Sequence, residues 1–273
     1  TPPCAVAVGV SVSALMRPAP SHLIFDGMTH PSSASPTRIL VWDFPTRLSH
    51  VLLAAAVVGA FGIATLVDDE GAVFPWHMLL GAVAAFVVAL RVIWGFAGSR
   101  YARFGSFTFG PREVFAYVKG IFSGKGARHV GHNPGSSVVI FAIFGLTLGL
   151  ATTGVAMSRG GDLVKEIHEV LAYSLVGVIA LHVAGVVVHT LRQHENIALA
   201  MLDGRKEGNA GQAIASAHPL VALALVGATA LWAGVLVDGY DGRSHSVSLP
   251  GLGTSITLGE IEKGDRPRAG GAG

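Results

Sequence analysis

Two histidines fourteen residues apart, His168 and His182 in HEVLAYSLVGVIALH, lie within one apolar stretch of the chain. In an α-helix fourteen residues turn through about 1,400°, within about 40° of four full turns, so both imidazoles leave the same face. At 1.5 Å per residue they stand roughly 21 Å apart along the axis, near opposite edges of a hydrocarbon layer about 30 Å thick. On the stripe of a soluble helix a histidine is more often packing than chemistry. Inside a membrane span an ionisable side chain marks function by default. Two on one face point to two metal centres stacked across a bilayer.

The composition agrees with a membrane setting. Of the 273 residues 51% are hydrophobic and 13% charged, against roughly 25% charged in a typical soluble domain. The 36 glycines suit helices that approach one another, or a flat cofactor, closely. A net charge of +2 provides no basic field for nucleic acid. The single cysteine, Cys4, excludes an internal disulfide, a thiolate-held iron–sulfur cluster and the C-x-x-C-H attachment of c-type haem. Histidine, present twelve times, is the side chain left to hold a metal.

Five segments have the length and apolarity of transmembrane helices, at about 48–67, 76–96, 136–157, 168–190 and 218–237. The expected fold is an all-α integral membrane protein: a four-helix transmembrane bundle over 38–208 and a fifth transmembrane helix within 209–238. Of the 19 basic residues, 13 fall on the side of the N-terminus and 6 opposite. The excess of positive charge places the N-terminus in the cytoplasm and the C-terminus in the periplasm of a bacterial inner membrane. Residues 1–37 are expected to be a disordered leader, and 239–273, rich in Gly, Ser and Pro, a mobile periplasmic tail. The stretch 101–128, with seven aromatic residues among basic ones, is expected to lie along the cytoplasmic interface.

Two more histidines fall in the spans. His50 is near the cytoplasmic start of the first, and His77 opens the second on the other side. Depth pairs His77 with His168 toward the periplasm and His50 with His182 toward the cytoplasm. Measured from each span's midpoint, His50 is about 10 Å and His182 about 6 Å inward. His189, about 16 Å inward on the same face, is the rival for the inner place. A square-planar cofactor with two axial imidazoles fits two facing helices, and b-type haem needs no covalent link. Zinc, which takes three or four ligands at one point, fits poorly. Gly81 and Gly185 lie on the ligand faces, where a macrocycle or ordinary helix packing would use them.

Five motifs in order, W-D-x-P-x-R-x-x-H (Trp42 to His50), R-x-x-W-G (Arg91 to Gly95), G-H-N-P (Gly131 to Pro134), H-E-x-L-A (His168 to Ala172) and M-x-x-G-R-K (Met201 to Lys206), give the chain a family likeness. It resembles the bacterial cytochrome b561 family, which includes the b-type cytochrome subunits of nickel–iron hydrogenases, over about residues 38–208. The resemblance implies a four-helix core holding two haems b, with His50, His77, His168 and His182 as axial ligands. It also implies electron exchange with a membrane quinone and with a protein partner, a c-type cytochrome or a hydrogenase or dehydrogenase subunit. The fifth span and the tail depart from the small four-helix members.

Other features carry weaker signals. Arg47 and Arg91 are either haem propionate partners or interfacial anchors. His129 and His132, three apart in a polar loop, could hold a metal, but a solvated loop is the favoured reading, with Asn133-Pro134 setting the start of the next helix. His22, His30, His194, His218 and His245 read as structural or incidental. A histidine-dependent metal-ion transporter would want mid-membrane carboxylates, and no span has one in its interior. A purely structural membrane protein leaves four depth-matched histidines without a role.

Overall fold

The computed structural model describes residues 37–69, 71–123, 129–157, 161–244, 246–249 and 254–257. The leader expected at 1–37 lies outside them except for Thr37, as do His22, His30 and His245. Seven α-helices carry the described chain: α1 (Phe44–Leu66), α2 (Pro75–Ala97), α3 (Pro111–Ser123), α4 (Pro134–Met157), α5 (Asp162–Gln193), α6 (Ile197–Asp203) and α7 (Pro219–Asp238). Five of them, α1, α2, α4, α5 and α7, are long and apolar enough to cross a membrane. The fourth span is longer than expected, because α5 extends six residues before His168.

Proline begins most of these helices, where its missing N–H costs nothing and its fixed φ suits the first turn. Asp43 caps α1 by accepting from Thr46 N at 2.9 Å, and Asn133 caps α4 by accepting from Ser136 N at 2.8 Å. The expectation that Asn133-Pro134 sets the start of this helix therefore holds.

Two helical hairpins form the bundle. α1 packs on α2 and α4 on α5, and α2 touches α4. α5 makes no comparable backbone packing with α1 or α2. α7 packs on α1 and α2, where Trp232 stacks on Phe86 and its Nε1 donates to Ala82 O at 3.4 Å. On α5 Leu175 is the one buried apolar residue, and Leu181, Val183, Val187 and Leu191 are exposed.

The side on which α1 begins is here the near side. There β1 (Thr37–Leu40) pairs antiparallel with β2 (Arg205–Gly208), Thr37 opposite Gly208. Ile39, Val41, Trp42 and Ala200 form a small core with Tyr101, Val130 and Met201 packed against it. Gly204 ends α6 with φ +79°, and a Cβ there would lie 2.7 Å from Trp42 O. Its carbonyl accepts from Val41 N and Trp42 N at 2.8 and 3.0 Å. α3 lies along this side between two spans, amphipathic as the 101–128 stretch suggested, with Phe115 exposed. Arg192 of α5 donates to Ile121 O at its end.

On the far side, part of the tail expected to be mobile is ordered. β3 (Tyr240–Asp241), β4 (Ser246–Leu249) and β5 (Thr254–Thr257) make an antiparallel sheet in that order. Val247 packs with Leu79 and Leu236, so the sheet rests on α2 and α7. Three short strands in a Gly- and Ser-rich segment leave little periodic signal, which is why the composition suggested a loose tail.

Asp43 joins the first hairpin as well as capping it, because its Oδ2 accepts from Trp94 Nε1 of α2 at 3.0 Å. The residue is wholly buried. Asp43→Ala is expected to lower stability by about 2–4 kcal/mol, the sum of a lost cap and an orphaned indole N–H. Denaturant unfolding in detergent micelles measures this, and a loss below about 0.5 kcal/mol would show that neither bond matters.

Candidate functional site

Two pairs of imidazoles bridge the seam that α5 leaves open against α1 and α2. The rings of His50 on α1 and His182 on α5 have centroids 6.4 Å apart and planes at 52°. Those of His77 on α2 and His168 on α5 have centroids 6.2 Å apart and planes at 71°. A direct hydrogen bond between imidazoles would bring the centroids to about 5 Å. Two metal–nitrogen bonds of about 2 Å, with about 1.1 Å from each nitrogen to its ring centre, set them about 6.2 Å apart. The observed separations suit a metal ion between each pair.

The far-side couple is also oriented by its second nitrogens. His77 Nδ1 lies 2.8 Å from Ala60 O, and a carbonyl only accepts, so this nitrogen carries the proton. His168 Nδ1 lies 2.8 Å from Thr153 Oγ1. That hydroxyl donates back to Gly149 O or Leu150 O at 2.9 and 3.1 Å, so His168 Nδ1 donates to it. Both rings then present a bare Nε2. Anchoring the outer nitrogen in this way fixes the tautomer and angle of metal-bound imidazoles.

A Cβ added at Gly81 or at Gly185 would meet no atom of another element within 4 Å, so neither glycine is packed against a neighbouring helix. At Gly154, one added would meet His168 Cε1 at 3.7 Å. Among the described residues no three His, Cys, Asp or Glu side chains converge on one point. The histidines meet in twos, which suits an axial pair on a four-coordinate macrocycle better than a tetrahedral ion.

Other side chains singled out in the sequence lie elsewhere. His189 Nε2, the rival for the inner place, is 3.5 Å from Glu195 Oε2, which lies 3.9 Å from Lys206 Nζ. Arg47 donates from Nε to Met201 O at 3.2 Å and lies over the Phe44 ring, tying α1 to α6. Arg91 is buried, and its Nη2 donates to Ala102 O at 3.1 Å. His194 and His218 end and begin helices in left-handed conformation, and His218 packs on Trp94.

The solvated reading of His132 is corrected. Its ring lies against Trp42 and Phe107, each centroid 4.5 Å away, and its Nε2 is buried. Burial pushes its pKa down to about 3, with help from the charges of Arg91, Lys206 and His182. His129 does not join it as a metal pair, and its carbonyl accepts from Lys206 Nζ at 3.0 Å. Thr153 and the carbonyl of Ala60 are contacts of the paired histidines that sequence reasoning missed. A hydroxyl in the far-side half of the span next to His168 was the available signal for Thr153, and nothing marks a backbone carbonyl.

The family model for prokaryotic cytochrome b561 matches residues 41–204. All four paired histidines fall within it, and α7 and the far-side sheet fall beyond it. No curated protein and no solved structure matches the chain. The matched stretch covers more than half of the sequence and carries the seam with both couples, and the chain belongs to the prokaryotic cytochrome b561 family, membrane proteins that bind b-type haem.

Proposed function

We propose that this protein is a di-haem b-type cytochrome that carries electrons across a bacterial inner membrane, between the membrane quinone and a redox protein in the periplasm. His50 and His182 would hold one haem toward the cytoplasm, and His77 and His168 the other toward the periplasm. The observation that carries this reading is the spacing of the two couples, 6.4 and 6.2 Å between centroids, on a helix that separates them by about 21 Å. A haem with two axial imidazoles supplies a one-electron ferric–ferrous couple with no open coordination position for oxygen or substrate.

The chain's own residues then hold and tune that couple. Thr153 and Ala60 O keep His168 and His77 in the tautomer whose Nε2 is free to bind. The apolar spans exclude water, and burial with local charge sets the potential. The near side is assigned to the cytoplasm on its excess of basic residues. The periplasmic partner is a c-type cytochrome in the first reading. The far-side sheet over α2 and α7, beyond the family's own span, favours a second reading, in which the chain anchors a hydrogenase or similar dehydrogenase subunit.

Three outcomes follow. A reduced-minus-oxidised spectrum of the purified chain is expected to show b-type bands, with His182→Ala losing about half of the haem in a pyridine haemochrome assay. No b-type bands, or an unchanged haem content, would remove the proposal. Thr153→Val is expected to weaken haem binding at the far-side couple by about tenfold or more, with Thr153→Ser close to wild type. Equal affinities in all three chains would show that the hydroxyl does not orient His168. In proteoliposomes, added quinol is expected to reduce enclosed ferricyanide through the wild-type protein and not through His182→Ala. Equal rates in the two would rule out the transmembrane route.

A further inference from the structure

Two buried nitrogen atoms near the near-side couple are left without a partner by the fold. Arg91 stands fourteen residues after His77 on α2, hence about 21 Å further along and within about 40° of the same face. His182 stands at the same interval after His168 on α5. Both helices run from the far side to the near side, and His77 meets His168, so Arg91 comes level with His182. The residue is 6% exposed, and Nη1 is buried without a hydrogen-bond partner.

His132, in the turn before α4, has the second such nitrogen. Its Nε2 is buried and unpartnered between the rings of Trp42 and Phe107. The charges of Arg91, Lys206 and His182 all act on it, so the three lie within electrostatic reach of this ring. A neutral imidazole can still donate through Nε2–H. Nearby carboxylates are engaged elsewhere: Asp43 accepts from Thr46 N and Trp94 Nε1, and Glu195 faces His189 and Lys206. Orphaned donors on a buried cation are costly unless an acceptor arrives. What is missing is an anionic acceptor at the depth of His182, and a carboxylate matches the fork of a guanidinium.

We propose that Arg91 Nη1 and His132 Nε2 bind a propionate carboxylate of the near-side haem b, with Lys206 adding positive charge to the pocket. This rests on the haem assignment made above. It gives Arg91, rather than Arg47, the role of propionate partner, and it makes His132 a cofactor-binding residue of a kind distinct from the axial ligands.

The test compares haem with its dimethyl ester, in which both propionates are neutral. The full-length apoprotein in detergent is titrated with each and followed by Soret absorbance. A His77→Ala background keeps only the near-side couple. There the free acid is expected to bind tighter than the diester by roughly tenfold or more. His132→Phe keeps the ring packing and removes the donor, and Arg91→Met removes the cation. Each is expected to bring the ratio toward one. In a His182→Ala background, which keeps only the far-side couple, the same substitutions are expected to leave the ratio unchanged.

A ratio near one before any pocket substitution overturns the inference, as does a ratio that survives both or falls equally at both couples. Arg91→Met removes a positive charge that interacts with buried Asp43, so far-side haem uptake reports whether that variant folds, and His132→Phe decides alone if it does not. Haem that binds in no background removes the cytochrome reading, whereas binding without discrimination removes only the carboxylate site.

Discussion

The rest of this structure depends on a seam that the polypeptide does not close. α1 packs on α2, α4 packs on α5, and α5 stands off the first hairpin along the face that carries His168 and His182. In lipid there is no hydrophobic drive to pull two apolar hairpins together, so their association needs close packing or polar links. Across this seam two couples of imidazoles face one another. A macrocycle filling the space between them would supply the packing area that the side chains of α5 lack. Binding of such a group to the folded bundle would then stabilise it by mass action.

The near side holds this geometry from outside. Trp42, Asp43, Trp94, Gly204 and Lys206 belong to motifs far apart in the sequence, yet they meet in one layer beneath the His50–His182 couple. Asp43 fixes α1 to α2, the carbonyl of Gly204 fixes α6 to the strand before α1, and Lys206 reaches the loop that carries His129. The α1–α2 hairpin, the end of α6 and the loop before α4 are thereby held together at one depth. The far-side couple relies on single contacts instead, Ala60 O for His77 and Thr153 for His168. Substitutions in the near-side layer should therefore disturb the whole bundle, and those at Thr153 one couple alone.

Much of this was legible before any coordinates. A helix has a fixed rise and turn, so the interval from His168 to His182 defines both a face and a separation. Length and apolarity bound the five spans to within a few residues, apart from the start of α5. What stayed hidden depends on long-range contact. His132 sits in a segment that reads as polar loop, and its burial comes from Trp42, ninety residues earlier. His189 and His182 share a face of α5, and only their neighbours tell them apart, Glu195 for one and His50 for the other. The far-side sheet consists of strands two and four residues long, too short for alternation to stand out from their Gly and Ser surroundings.

The central claim is that each couple clasps one haem iron from both sides. Electron paramagnetic resonance of the oxidised, haem-loaded chain addresses it directly, because bis-imidazole ferric haem is low-spin and each centre is counted by integration. The account predicts two low-spin ferric signals, each integrating to one spin per chain, with no high-spin component. A single low-spin signal, or a high-spin one in the intact protein, would contradict it.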